Sequence, residues 1–399
     1  MFFAPVATEA FVAPSVIVIQ QHASSPSPLA GPQPLTPPEM LRDLSMLAPA
    51  ALSEYLTNNP FVVDQLIANP PAAVEVRSWW MGSDTAQRNA LITAAPQLIG
   101  NLEGIPYELR DRVNRGVLQD AETHLALASS VEASTNTTMV KSVENALQRT
   151  DDRPRYLLTL DLEGQGLAAI VIGDLRTADY VSYLVPGMGF TVEGQMGDWV
   201  DAADRLDASE RDWLQEFGES GQDVATVAWI GYHTPDISSV FSFDLARQGA
   251  KALTAAISGL QTMRASNPPF VSVIAHSYGS TAALLALTNG DLSVDALAIA
   301  GSPGAPTKSV ADLRVPAGEV FVASASVFDP VAISGYLGQS PLSREFGAKV
   351  FGVEGTVDPI TGDMLGLSLG HNDYFAEGSE SMRNFALVAI DRGDLVTRG

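Results

Sequence analysis

The sequence predicts an α/β protein: an eight-stranded, mostly parallel sheet flanked by helices and preceded by an α-helical region. Three observations predict it. Beyond residue 155, short runs of strand-forming residues alternate with helical stretches, the pattern of a mainly parallel sheet. The first two runs, 156–162 and 167–173, are separated by Glu163-Gly164-Gln165-Gly166, a hairpin signal. Residues 39–149 instead repeat apolar positions at spacings of three and four, as in Leu41, Leu44 and Leu47 and in Val62, Val63, Leu66 and Ile67.

Element by element, the further strand candidates are 181–185, 224–230, 270–275, 294–300, 319–327 and 348–353, and helices are expected at 196–217, 240–265 and 278–289. The 240–265 segment carries an apolar face of Leu245, Leu253, Ile257 and Leu260. In the N-terminal part, Thr36-Pro37-Pro38-Glu39 has the capping-box pattern, and Asn59-Pro60 and Asn69-Pro70-Pro71 repeat a cap-then-proline signal. Residues 22–38 are Pro/Ser-rich and read as a linker. The expected division is 1–38 as a flexible segment with linker, 39–150 as a helical region and candidate cap, and 151–399 as the α/β domain.

Composition narrows the function. The chain has 399 residues, a net charge of −23 and only four lysines, Lys141, Lys251, Lys308 and Lys349. A surface this acidic repels phosphate backbones, so nucleic acid is not an expected partner. There is no cysteine, which excludes disulfides, thiolate catalysis and cysteine-based zinc sites. No Lys or Arg precedes the apolar run 11–19, so a secretory signal is not read there and the cytoplasm is favoured over secretion. No run of eighteen uninterrupted apolar residues predicts a membrane span.

The chemistry gathers around Ser277. An apolar strand, 271–275, enters an Ala/Leu-rich helix through Ala275-His276-Ser277-Tyr278-Gly279. A tight strand-to-helix turn of this kind lifts a serine Oγ clear of the sheet, with small residues two positions either side for close packing. Gly279 fits that pattern; Ala275 stands where glycine is usual. The competing reading of Ser277 is a helix N-cap.

A serine nucleophile needs a base, and His is the usual one. Of the five histidines, His22 lies in the linker, His124 in the helical region, His276 beside the serine and His233 after the fourth strand. His371, in the polar loop Gly370-His371-Asn372-Asp373-Tyr374 after the eighth strand, is the expected base. The acid that orients it should lie between serine and histidine in the chain. Asp329 follows the run 320–328 and is the first candidate; Asp358 is the second.

Acyl transfer also needs N–H donors for a developing oxyanion. Tyr278, just after the serine, is one expected donor, and Met188 in Pro186-Gly187-Met188-Gly189-Phe190 is the other. Gly187, Phe190, Tyr232 and His233 are the expected substrate contacts. The glycines here are not a nucleotide fingerprint, since Val192 occupies the third position.

As a set, Tyr183–Gly189, Ala228–Tyr232, His276–Ser280, Gly301–Gly304 and the Asp329 and His371 loops resemble an actinobacterial α/β-hydrolase family formerly classed as a domain of unknown function. Trp79-Trp80, the segment 96–106, Arg110-Asp111 and Asn114-Arg115 extend the resemblance to about 75–380; Ala275 departs from it. The resemblance implies an α/β-hydrolase fold and a hydrolase, without naming a substrate. The expected reaction is hydrolysis of a small-molecule or lipid ester by Ser277, His371 and Asp329, with no cofactor or metal. Amide, lactone or acyl-transfer chemistry on the same residues, and a non-catalytic binding protein on this scaffold, remain open, as does the oligomeric state.

Overall fold

The sheet follows from the hairpin and the buried apolar runs. In the computed structural model, which describes residues 35–125, 131–148, 153–288, 290, 292–325, 329, 331 and 335–399, the strands are β1 (Arg155–Asp161), β2 (Leu167–Ile172), β3 (Tyr180–Val185), β4 (Val224–Ile230), β5 (Phe270–His276), β6 (Ala296–Ala300), β7 (Val320–Ala323) and β8 (Lys349–Val350). They form one sheet in the order β1-β2-β4-β3-β5-β6-β7-β8. The β1–β2 and β2–β4 pairs are antiparallel and the others parallel. Strands β3 to β7 are buried along nearly their whole length and are mostly apolar because helices cover both faces of a parallel sheet.

Alternation along each strand divides the core in two. Leu184, Ala228, Ile274 and Ala298 face α8 (Val131–Leu147), α9 (Val192–Glu216) and α12 (Glu380–Ala389), meeting Met139, Trp199, Leu206 and Phe385. Val185, Val227, Val273 and Leu297 face α10 (Asp244–Met263) and α11 (Tyr278–Thr288), meeting Leu253, Ile257 and Ala282.

The N-terminal region is helical as expected: α1 (Pro37–Ser45), α2 (Pro49–Asn58), α3 (Pro60–Ala68), α4 (Ala73–Gly82), α5 (Thr85–Ala94), α6 (Pro96–Asn101) and α7 (Tyr107–Leu125). It closes the open edge of β1 with side chains. Asn101 exchanges bonds with Leu160 N and O, Asp111 accepts from Leu157 N at 2.7 Å, and Asn114 and Arg110 donate to the Leu157 and Leu158 carbonyls at 3.0 and 2.6 Å. Arg110 is itself buried and paired with Glu103. An edge satisfied in this way presents no free ladder for another strand. Residues Pro37–Gly399 form one compact unit.

Several boundaries differ from the sequence reading. Asn69 ends α3 and α4 starts at Ala73, because two consecutive prolines hold the intervening chain extended. The helix expected from 240 starts at Asp244, since Asp236 draws Ser238 and Ser239 into a turn through their N–H groups. Strands β7 and β8 are shorter than expected; just past β8, the Gly352 N–H turns to the Thr397 carbonyl. Most of the N-terminal segment and linker, and residues 326–328 of the expected seventh strand, lie outside the described residues.

One buried carboxyl crosses the α9–sheet layer. Glu210 is fully buried, with Oε1 2.6 Å from Ser182 Oγ and Oε2 3.4 Å from Thr226 Oγ1. Burial pushes its pKa well above the usual carboxylate range, against the lowering effect of the Ser182 bond. Above the unfolded-chain value the native state then holds a proton that the unfolded chain has released, so this residue costs stability as pH rises. Glu210→Gln is therefore expected to raise the melting temperature more near pH 8 than near pH 5. A rise that calorimetry finds equal or smaller at the higher pH, or a fall there, would mean that the native carboxyl is ionised.

Candidate active site

Strand β5 hands over to α11 through one residue. Ser277 has φ of 52°, in the left-handed region that costs a non-glycine residue about 1–3 kcal/mol. The neighbours hold it there. Its N–H donates to Ala300 O at 2.9 Å, and its carbonyl accepts from the Ser280 N–H and hydroxyl at 3.0 and 2.6 Å. Ser280 Oγ also lies 2.7 Å from Ser302 Oγ, tying the turn to the loop after β6. A Cβ on Gly279 would stand 2.3 Å from the Pro186 carbonyl oxygen, which explains the small residue there. Ala275 is fully buried in the α10–α11 core.

The loops bring His371 and Asp329 to this serine. Ser277 Oγ is 2.7 Å from His371 Nε2, and His371 Nδ1 is 2.8 Å from Asp329 Oδ1. A carboxylate accepts only, so Nδ1 carries the proton and Nε2 accepts from the serine hydroxyl. Asp329 is fully buried; its Oδ2 accepts from Tyr374 OH at 2.6 Å and its Oδ1 from Val331 N–H at 3.1 Å. The Tyr374 hydroxyl accepts in turn from Ala325 N–H at 2.7 Å. Burial and the Asp329 contact push the Tyr374 phenol well above its ordinary pKa, so it stays a donor. The second acid candidate, Asp358, is buried against Arg383 at 2.9 Å. It serves that ion pair and the turn at Ile360.

The loop after β3 lies directly against the serine. A Cβ on Gly187 would be 2.5 Å from Ser277 Cβ and 3.0 Å from its Oγ, so only glycine fits. Met188 is exposed at the loop tip. Tyr278 heads α11, so its N–H has no intrahelical acceptor. Its side chain is buried, donating to Ser242 O and accepting from Ala246 N–H. Of the expected substrate contacts, Gly187 is at the serine and Phe190 is half-buried, edge-on to Trp199 at 4.9 Å. Tyr232 lies behind the loop: it is buried and donates to Pro186 O at 2.7 Å. His233 is half-buried, with Nε2 unpartnered among the described residues. No group of three or more His, Asp or Glu among the described residues is placed to hold a metal ion.

Two contributors escaped the sequence reading. Tyr374 follows His371 by three residues, and that spacing was the available signal. His276, set aside because it cannot face the serine, turns the other way: its Nε2–H donates to the His371 main-chain carbonyl at 2.6 Å. Its ring is buried among His371, Tyr374 and Phe375, and Nδ1 has no partner among the described residues. Burial first, then the adjacent His371, lowers its pKa to about 4.

The sign of that shift makes His276 an acid-sensitive element. Between about 6.5 and about 4 the unfolded chain takes up a proton that the native state refuses, so stability falls as pH drops through that window, by about 3 kcal/mol. His276→Gln keeps an N–H donor and removes the titration. Denaturant unfolding near pH 7 and pH 4 should show a smaller acid loss in the variant than in the parent; superimposable losses would show that His276 does not titrate this way.

Comparison with known proteins agrees with this architecture. Residues 161–338 match a family model described as alpha/beta hydrolase. A Mycobacterium tuberculosis protein described as uncharacterized is 27% identical over 394 residues, covering 84% of this chain and 58% of its own length. A Mycobacterium bovis protein with the same description is 31% identical over 157 residues, covering 39% of this chain and 59% of its own. The chain thus spans about 58% of the length of the first of these relatives. Among solved structures, carboxyl esterase 2 of Tuber melanosporum aligns at 14% identity and a TM-score of 0.37, over 62% of this chain and 89% of that one. Dienelactone hydrolase of Anabaena variabilis aligns at 13% identity and 0.32, over 62% and 100%. With the strand order already described, the match over residues 161–338 shows the α/β-hydrolase fold in this chain.

Proposed function

We propose that the chain is a serine hydrolase that cleaves carboxylic esters through an acyl-enzyme. The observation that carries this reading is the unbroken line of hydrogen bonds from Ser277 Oγ through His371 to buried Asp329. Ser277 Oγ attacks the ester carbonyl while His371 Nε2 takes its proton. The negative charge that develops on the carbonyl oxygen is held by the N–H groups of Tyr278 and Met188. His371 then gives the proton to the departing alcohol, and water releases the acyl group by the same steps in reverse order. Asp329 keeps the Nδ1 proton in place and stabilises the imidazolium, with Tyr374 fixing the far carboxylate oxygen. Gly187, Phe190 and His233 border the reacting carbonyl. A small-molecule or lipid ester is the substrate, and the scheme uses only protein side chains and N–H groups.

A fluorophosphonate probe tests the scheme, because it phosphonylates an activated serine. The parent protein should label; Ser277→Ala should abolish labelling. His371→Ala and Asp329→Asn should each slow it by roughly 10²–10⁴-fold. A folded parent that does not label, or a Ser277→Ala variant that still does, would overturn the reading.

A further inference from the structure

Two loops must keep a fixed separation for the reaction proposed above. The β3 loop carries Met188, whose N–H meets the oxyanion, and the loop after β8 carries His371, which moves the proton. Strands β5, β6 and β7 lie between β3 and β8 in the sheet, so no strand pairing sets the spacing of these loops. One buried side chain touches both. Trp199, on α9 and 3% exposed, has the Phe190 ring edge-on at 4.9 Å and the Phe375 ring edge-on at 5.2 Å. Phe190 follows Met188 by two residues, and Phe375 ends the short 3-10 turn Asp373–Phe375 just after His371.

Both ends of this bridge are anchored. The Trp199 Nε1–H donates to the Leu184 carbonyl of β3 at 3.2 Å. The β3 loop runs straight into α9, whose first turn is capped by Thr191 Oγ1 accepting from the Gly194 N–H at 3.1 Å. At the far end, the Phe375 ring stacks on Phe385 of α12 at 5.2 Å and lies edge-on to His276 at 6.1 Å. The Phe375 carbonyl accepts from the Nε–H of Arg205, also on α9, at 2.8 Å. The residue before it is Tyr374, whose hydroxyl holds Asp329. Edge-to-face ring pairs have a preferred geometry, so these contacts fix orientation as well as fill space. A displacement of Trp199 is passed to the oxyanion loop on one side and to the Asp329–His371 pair on the other.

We propose that Trp199 is a positioning residue for the hydrolytic reaction: it bridges the β3 loop and the His371 loop and sets the distance between the oxyanion donor and the base. Arg205 secures the Phe375 end of the bridge. This role rests on the serine-hydrolase reading. It is felt in the transition state, because the oxyanion exists only there and small displacements of reacting groups are costly.

The test uses the full chain, with hydrolysis of p-nitrophenyl acetate and inhibition by phenylboronic acid, which forms a tetrahedral adduct on a serine Oγ. Trp199→Leu should lower kcat/KM and weaken phenylboronic acid by the same factor, roughly tenfold or more. Trp199→Phe, which keeps an aromatic ring in place, should recover kcat/KM to within about threefold of the parent. Trp213→Leu is the control for lost packing, since Trp213 is buried on the same helix and stacks on Phe217 at 5.5 Å. It should lower the melting temperature as Trp199→Leu does and leave kcat/KM within about twofold. Arg205→Ala should lower kcat/KM about threefold. Equal kcat/KM losses in Trp199→Leu and Trp213→Leu would make Trp199 a packing residue and overturn the role. Should Trp199→Leu not fold, Arg205→Ala decides, and parental kcat/KM there overturns the bridge. A parent that neither labels with fluorophosphonate nor turns over the ester overturns the serine-hydrolase reading and this role with it. A parent that labels, beside a Trp199→Leu variant of parental kcat/KM, overturns the role alone.

Discussion

The left-handed turn at Ser277 is the constraint on which the site depends. One residue separates a buried strand from a buried helix, and the change of direction is possible only with φ near 52°. The strain is offset locally: both backbone groups of Ser277 are bonded, to Ala300 and to Ser280. The same turn leaves no room beside it, so Gly187 and Gly279 stand where any Cβ would collide with the serine or the Pro186 carbonyl. The β3 loop is pressed against Ser277 by this packing, and Tyr232 holds it from behind through Pro186.

A second constraint places the histidine. His371 sits on a loop, and loops are the mobile part of a fold. Here its ring and its main chain are held separately. Asp329 accepts from the Nδ1–H, while His276 Nε2–H donates to the main-chain carbonyl of the same residue. Tyr374, in the short 3-10 turn that follows, reaches back to Asp329 and to Ala325 N–H, so the loops after β7 and β8 are joined through one hydroxyl. Gly301 gives this group its space: a Cβ there would lie 2.8 Å from Asp329 Oδ2 and 3.0 Å from the His371 ring. The arrangement explains why His276, buried and bonded to the His371 carbonyl, stands beside His371 without competing for Ser277.

The two ends of the polarity scale are used at different places on the molecule. Along β1, Asn101, Arg110, Asp111 and Asn114 satisfy backbone groups that would otherwise form an open edge, and that edge is sealed. On the segments that follow β3, β4 and β8, apolar side chains such as Met188, Ile237 and Met364 are left exposed on an acidic protein. Among the described residues no helix is long and apolar enough to cross a membrane.

Strand and helix alternation, the hairpin and the strand-to-helix turn were legible in the sequence because they are local: period-two burial, Gly-rich turns and small residues around Ser277 act within a few positions. The order Ser277, Asp329, His371 was legible because parallel strands place successive loops at one end of the sheet. Tertiary structure alone decided the rest. Asp329 and Asp358 are alike as sequence, and only packing shows one against His371 and the other against Arg383. His276 could be read as adjacent to Ser277, but not as the donor to a carbonyl 95 residues away. Asn69 looked like a helix start, and the chain used it as a helix end. The physical reason is common to all three: a side chain's partner is set by which backbone groups the fold leaves unpaired, and that is known only once the sheet is assembled.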